Sequence, residues 1–280
     1  MNTKILDYTK ENIALAARIL RDGGLVAFPT ETVYGLGANA LDPDAVGRIY
    51  DAKGRPGDNP MIVHIARASD IGQLTPRLNA DIIKLIEHFW PGPLTLVLPK
   101  KDIVPLRTTG GLETVAVRMP DHPAALELIE AAGVPVAAPS ANLSGKPSPT
   151  TAAHVIEDMM GKVDAILTGG DCRIGIESTV LDMSGPEPMI LRPGIVTQES
   201  IEAVLGRAVL LDPALNLPAD PDSAPKAPGM KYRHYAPKAQ MLVVEGRREK
   251  VREEIERLRV LNEKLGNRVG VILFEEKAFI

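Results

Sequence analysis

The sequence predicts an α/β fold organised around a twisted, mixed sheet. Segments of helical and strand-like periodicity alternate as far as residue 168, the pattern of successive βα units. Three later extended pieces, "STVLDM", "MILRP" and "AVLLD", have a single helix among them, from Gln198 to Leu205. Some strands must therefore be direct antiparallel neighbours, which makes the sheet mixed and not doubly wound. With 280 residues, 45% hydrophobic and 24% charged, the chain has the make-up of a globular protein with room for one large domain or two.

The elements follow in order. Glu11 to Asp22 carries Ile13, Ala16, Ala17 and Leu20 at helical spacing and stops at Gly23-Gly24. The strand "LVAF" comes next. The pattern then predicts helix 43–52, strand 61–66, helix 79–89, strands 94–98 and 114–119, helix 122–132, strand 134–138, helix 151–160 and strand 164–168. "AKGRPGDNP", residues 52–60, holds too much glycine and proline for a helix or strand, and reads as a loop at the mouth of the strand from Met61. Between Pro213 and Pro237 six prolines and no sustained apolar period mark a linker. Beyond it "MLVVEG", a charged helix from Arg247 to Leu265 and "RVGVILF" make one β-α-β unit, too small to bury both faces of its own sheet. The expected division is 1–212, 213–239 and 240–280.

A net charge of −4 argues against broad electrostatic capture of nucleic acid, so any basic site must be local. The single cysteine, Cys172, excludes an intramolecular disulfide, and no Cys/His cluster has zinc-ligand spacing. The N-terminus has no signal core and no apolar run approaches the ~18 residues of a membrane span. A cytoplasmic protein is expected.

Several stretches carry candidate chemistry. "YGLGANA" matches a dinucleotide fingerprint superficially, but Thr30-Glu31-Thr32 precede it and Pro43 starts a separate helix after it. "LSGKPS" lacks the upstream glycine of a phosphate loop, and Pro147 replaces the magnesium-binding hydroxyl. Even so, Ser140, Asn142 and Ser144 to Thr150 concentrate hydroxyls, an amide and a lysine, which turn chemistry and ligand contact explain equally. The same two readings apply to Thr30 and Thr32, and Glu31 reads as a structural capping group. His64 interrupts an apolar strand, where a core histidine is the ordinary reading. Arg118 shares a strand face with Ala116, opposite Val117; a strand arginine is more often an edge or surface charge than a ligand clamp, but its planar fork suits a carboxylate or phosphate. Ser178 and Arg192 sit similarly beside strands. Trp90 and Phe89 read as core, with Pro91-Gly92-Pro93 as the turn.

In this order the chain contains "FPTETVYGLG", "AKGRPGDNP", "WPGPLT", "VAVRMP", "APSANLSGKPSPT", "ESTV", "LRPG" and "APGMKYRHYAP". With these motifs it resembles the threonylcarbamoyl-AMP synthases, in the long two-domain form with a YrdC-like catalytic domain, from residue 10 to about 245. The resemblance implies a twisted sheet with a concave pocket, crossed by the proline-rich linker as a lid and followed by a Rossmann-like domain. This chain carries one β-α-β unit there, where several would be expected, and Met61 where leucine is usual.

The implied reaction joins L-threonine, bicarbonate and ATP into L-threonylcarbamoyl-AMP and pyrophosphate, for threonylcarbamoyladenosine modification of tRNA. The implied ATP site comprises Lys53, Arg55, Asn59, Thr114, Ser140, Asn142, Ser148, Arg192 and Tyr235, with Lys53, Arg55, Ser140 and Asn142 as the catalytic set. Thr32, His64, Arg118, the backbone around Ala138, and Ser178 are implied to hold threonine, with Arg118 on its carboxylate. Magnesium is expected on the phosphates, without a dedicated protein site. The expected partner is the downstream tRNA threonylcarbamoyl transferase machinery, and direct tRNA binding is not required. Two alternatives are an RNA-binding or regulatory YrdC-like module, which the acidic charge opposes, and a carbamoyl-adenylate transferase of hydrogenase maturation, whose zinc-finger segments would need cysteine pairs.

Overall fold

The computed structural model describes residues 2–216 and 240–273; Tyr235 and most of the predicted linker and lid, residues 217–239, lie outside them. The chain divides into two units, Met1–Ala236 and Pro237–Ile280.

In the first unit the strands are β1 (Lys4–Leu6), β2 (Val26–Phe28), β3 (Gly35–Asn39), β4 (Ile62–His64), β5 (Leu94–Pro99), β6 (Thr114–Arg118), β7 (Val136–Ala137), β8 (Ala165–Leu167), β9 (Thr179–Asp182), β10 (Met189–Arg192) and β11 (Leu210–Leu211). They form one sheet in the order β1-β8-β2-β3-β7-β4-β6-β5-β9-β10-β11. The pairs β1/β8, β2/β8, β4/β6, β5/β9 and β10/β11 are parallel. The other neighbours, β2/β3, β3/β7, β4/β7, β5/β6 and β9/β10, are antiparallel. The mixed sheet is as expected.

The helices are α1 (Lys10–Arg21), α2 (Pro43–Lys53), α3 (Ala80–Phe89), α4 (Pro123–Ala132), α5 (Ala152–Met159) and α6 (Gln198–Leu205). Local chemistry sets their ends. Thr9 caps α1 by accepting from Asn12 N–H, and Asp42 caps α2 by accepting from Asp44 and Ala45, with Pro43 in the first turn. Gly54, at φ 60°, closes α2 in a left-handed cap, which draws Lys53 into the helix and out of the predicted loop.

Strand alternation splits the core. Ala27, Val63, Val117 and Leu181 point to a large cluster with residues from α2, α3, α5 and α6, whereas Val26, Phe28 and Val136 face α1 and α4. Ile13, Ala16, Ala17 and Leu20 are buried on α1, and each larger aliphatic side chain so buried contributes about 1.5–3 kcal/mol.

Sequence patterning misses β1, only three residues long, and β3. The latter lies in "YGLGANA", whose glycines weaken strand propensity. They serve packing: a Cβ on Gly37 would lie 2.8 Å from both Phe28 and Val136. A 3-10 turn at Ala68–Gln73 also goes unpredicted.

In the second unit the predicted helix is present as α7 (Arg248–Lys264), with no buried residue and with exposed pairs such as Lys250–Glu253 and Arg259–Glu263 along its surface. Among the described residues, 241–246 and 268–273 show no strand pairing where the flanking strands are predicted. A lone β-α-β segment gains too little burial to hold its strands. No described helix is long and apolar enough to cross a membrane.

Candidate active site

On the sheet face opposite the large cluster, a cleft opens to solvent with an empty volume of about 710 Å3, mouth included. The register of β4 with β6 pairs Ile62 with Ala116 and His64 with Arg118, so period-two alternation delivers His64 and Arg118 side by side to this face. Ala138 follows from the end of β7. Of the residues expected at the site, Thr32, Lys53, Arg55, His64, Arg118, Ala138, Ser140, Asn142, Ser178 and Arg192 line the cleft. Lys53, Arg55, Arg118 and Arg192 bring four basic side chains, against Glu177 in the wall and Glu31 behind Arg118. That excess of cations on an acidic chain favours an anionic ligand.

Arg118 is 4% exposed and held on three sides. Its Nη2 lies 2.6 Å from Glu31 Oε1, Nη1 donates to Thr32 Oγ1 at 2.9 Å, and Nε donates to the Gly92 carbonyl at 3.1 Å. Thr30 Oγ1 donates to the Val33 carbonyl at 2.6 Å and contacts Thr32 Oγ1 at 2.9 Å. Burial, reinforced by the Arg118 charge, lowers His64 to about 3. It is neutral at physiological pH, with Nδ1 3.2 Å from the Ile62 carbonyl. Ser178 Oγ contacts Thr95 Oγ1 at 2.7 Å and accepts from Arg192 Nη2 at 3.1 Å, and the same guanidinium donates to the Ser178 carbonyl.

Lys53 lines the cleft as expected and is also a structural brace. At 3% exposure, its Nζ donates to the carbonyls of Ser140 and Asn142 and to Asn142 Oδ1. Burial, then the neighbouring Arg55 charge, pushes it well below the usual lysine range. Its Nζ, facing three oxygens, braces the 138–150 loop. Arg55 is the half-exposed cation of the pair, with Nη2 donating to Pro60 O at 3.0 Å. Ser140 Oγ donates to Asn142 Oδ1, and the Asn142 amide donates to Leu143 and Lys146 carbonyls, which completes the loop brace.

Asn59, Thr114 and Ser148 stand outside the cleft lining. Asn59 is buried, with Oδ1 lacking a hydrogen-bond partner, and Tyr50 Oη donates to its carbonyl. Its loop presses on Gly110, at φ +62°, where a Cβ would come within 2.7 Å of the Asp58 carbonyl. Thr114 opens β6 opposite Pro99. Ser148 donates to the Glu177 carboxylate and so ties the 138–150 loop to the Ser178 segment. Gly194 lets the chain pass there, since a Cβ would lie 2.5 Å from Thr179 N.

Sequence reasoning missed Glu31 as the partner of Arg118, the carbonyl of Gly92 in a stretch given no chemistry, and Glu177 in the wall. "TETV" and "ESTV" did display both carboxylates among hydroxyls. A backbone carbonyl has no such signal.

Fold and cleft together define an α/β protein with a one-sided, cationic, hydroxyl-lined site for a small anionic ligand. Comparison with known proteins narrows this. A Sua5_yciO_yrdC family model, described as Telomere recombination, matches residues 18–194, and a second, described as Threonylcarbamoyl-AMP synthase, C-terminal domain, matches residues 196–279. The threonylcarbamoyl-AMP synthase of Pyrococcus abyssi (strain GE5 / Orsay) is 56% identical over 260 residues, 93% of this chain and 76% of that protein. That of Bacillus subtilis (strain 168) is 52% identical over 277 residues, 99% of this chain and 78% of that protein. The crystal structure of P. abyssi Sua5 complexed with L-threonine matches with a TM-score of 0.91 at 51% identity, covering 98% of this chain and 82% of that chain. This chain belongs to the threonylcarbamoyl-AMP synthase family, and it is an enzyme of that type.

Proposed function

We propose that the cleft joins L-threonine, bicarbonate and ATP into L-threonylcarbamoyl-AMP and pyrophosphate. The observation that carries this reading is the grouping of cleft residues into two sets. Thr32, His64, Arg118 and Ser178 form a set in which Arg118 is charge-balanced by Glu31, which suits a zwitterionic amino acid. Arg55, Ser140 and Asn142, with Arg192 bonded to Ser178 where the two sets meet, suit a polyphosphate.

The threonine nitrogen forms a bond to the bicarbonate carbon, with loss of water, to give the N-carboxy compound. A carboxylate oxygen of that group then attacks the α-phosphorus of ATP, and the bond to the bridging oxygen breaks to release pyrophosphate. This needs no nucleophilic side chain; orientation and neutralisation of developing charge suffice. Neutral His64 beside Arg118 adds polarity without a second positive charge. The two carboxylates near the cleft engage Arg118 and Ser148, and no group of three His, Cys, Asp or Glu suited to a metal occurs among the described residues. Magnesium would be carried by the phosphates of ATP themselves.

Asn59, Thr114 and Ser148 enter the proposal at the rim of the nucleotide site, and Tyr235 with the 213–239 segment as its cover. The division into 1–212, 213–239 and 240–280, with a Rossmann-like role for the last part, belongs to the same reading. The product is a mixed anhydride, so a tRNA threonylcarbamoyl transferase would have to take it up in the cytoplasm before water does; direct tRNA binding is not required.

Mass spectrometry of an incubation with ATP, threonine and bicarbonate tests the reaction. Threonylcarbamoyl-AMP and pyrophosphate are expected only when all three are present, whereas ADP and phosphate would overturn the assignment. Arg55→Ala is expected to lower kcat/KM for ATP by roughly ten- to a hundredfold, the loss of one charge-assisted contact worth about 1.5–3 kcal/mol. Its melting temperature should stay close to that of the parent, since a half-exposed loop side chain opens no core cavity. Steady-state kinetics with ATP as varied substrate and a thermal scan check both halves.

A further inference from the structure

Resting on the assignment of Arg118 to the threonine carboxylate, we propose that Glu31 is the positioning residue of the amino-acid subsite, fixing which groups around Arg118 and Thr32 donate and which accept. The geometry is tightly determined. Glu31 is 1% exposed and does not line the cleft; its Oε1 lies 2.6 Å from Arg118 Nη2, so it acts through that side chain.

Donors and acceptors can be counted around the pair. Arg118 Nε donates to Gly92, and one Nη1 hydrogen goes to Thr32 Oγ1. Nη1 keeps its second hydrogen, while Nη2 is buried against Glu31 Oε1 as an ion pair at 2.6 Å that lacks hydrogen-bond geometry. The hydroxyls continue the pattern. Thr30 gives its only hydroxyl hydrogen to the Val33 carbonyl, so in the 2.9 Å contact Thr32 is the donor and Thr30 the acceptor. Thr32 Oγ1, already accepting from Arg118, keeps one lone pair. The subsite thus offers the remaining Nη1 hydrogen and the Arg118 charge to an anionic carboxylate, and an acceptor to an ammonium or hydroxyl hydrogen, the pattern of an α-amino acid zwitterion. Without the Glu31 charge, Arg118 keeps only the Gly92 and Thr32 bonds, and the pattern loses its charged anchor.

Calorimetric titration of the full chain with L-threonine, and separately with ATP, tests this in Glu31→Gln, Glu31→Asp and Arg118→Lys. Glu31→Gln, nearly isosteric, should weaken threonine binding at least tenfold while ATP affinity stays within twofold. Glu31→Asp keeps the buried charges balanced and should recover part of the loss; it carries the same test should the glutamine variant fail to fold. Unchanged threonine affinity in Glu31→Gln would overturn the inference, as would equal losses for threonine and ATP in both Glu31 variants, the mark of a purely structural role. If Arg118→Lys binds threonine as the parent does, the underlying assignment of Arg118 falls, and the inference with it.

Discussion

Arg118→Ala is expected to destabilise the first unit by about 3–5 kcal/mol, against the total of about 5–15 kcal/mol that holds a typical domain, and to abolish threonine use. The size follows from what is left behind. Glu31, 1% exposed, would keep its carboxylate in the interior without a counter-charge, and the Thr32 hydroxyl and Gly92 carbonyl would each lose a donor. Trp90, the one tryptophan of the chain, donates to the Leu94 carbonyl two residues from Gly92, so its fluorescence reports on this region during urea unfolding. A midpoint close to that of the parent would contradict the prediction. The double replacement Glu31→Gln with Arg118→Met should regain much of the lost stability, because both buried charges are gone, without regaining activity.

Lys53→Met should lower stability and turnover together. The substitution keeps most of the side-chain volume but takes the donor from the Ser140 and Asn142 carbonyls, at about 1–3 kcal/mol for each group left unsatisfied. The 138–150 loop then loses the brace that presents Ser140 and Asn142 to the cleft, and kcat should fall at least a hundredfold. The contrast with Arg55→Ala is the informative part: of the two cations of "AKGRPGDNP" that line the cleft, one is bonded to the carbonyls of Ser140 and Asn142 and the other to that of Pro60. If Lys53→Met loses turnover with an unchanged melting temperature, Lys53 acts on the nucleotide directly.

Much of the fold is legible because its physics is local. Apolar spacing marks α1 and α3, Asp42 and Pro43 announce α2, and the shortage of crossover helices late in the chain gives away the mixed sheet. What escapes depends on distant partners. β3 is a strand because β2 and β7 flank it, against the preference of its glycines. The segments around α7 pattern as strands yet have nothing to pair with among the described residues. At the site, residue types in order suffice to bring ten side chains or backbone positions to one cleft. Their roles divide only in three dimensions: Lys53 and Arg55 look equivalent in a broken stretch until a left-handed Gly54 turns the first inward and leaves the second at the surface.

The edge of the sheet bears on how the chain is made. Lys4 and Val26 both register with Ala165, and Thr3 Oγ1 donates to the Val163 carbonyl across a sequence separation of 160 residues. At about 5–20 residues per second, roughly ten to thirty seconds separate synthesis of β1 and α1 from synthesis of the strand that docks them. Through that interval Ile13, Ala16, Ala17 and Leu20 lack Ala165 and Leu167, part of the surface that finally covers them. Such non-local pairing makes assembly of this edge slow, since β1 and β2 cannot complete it before β8 itself has been translated.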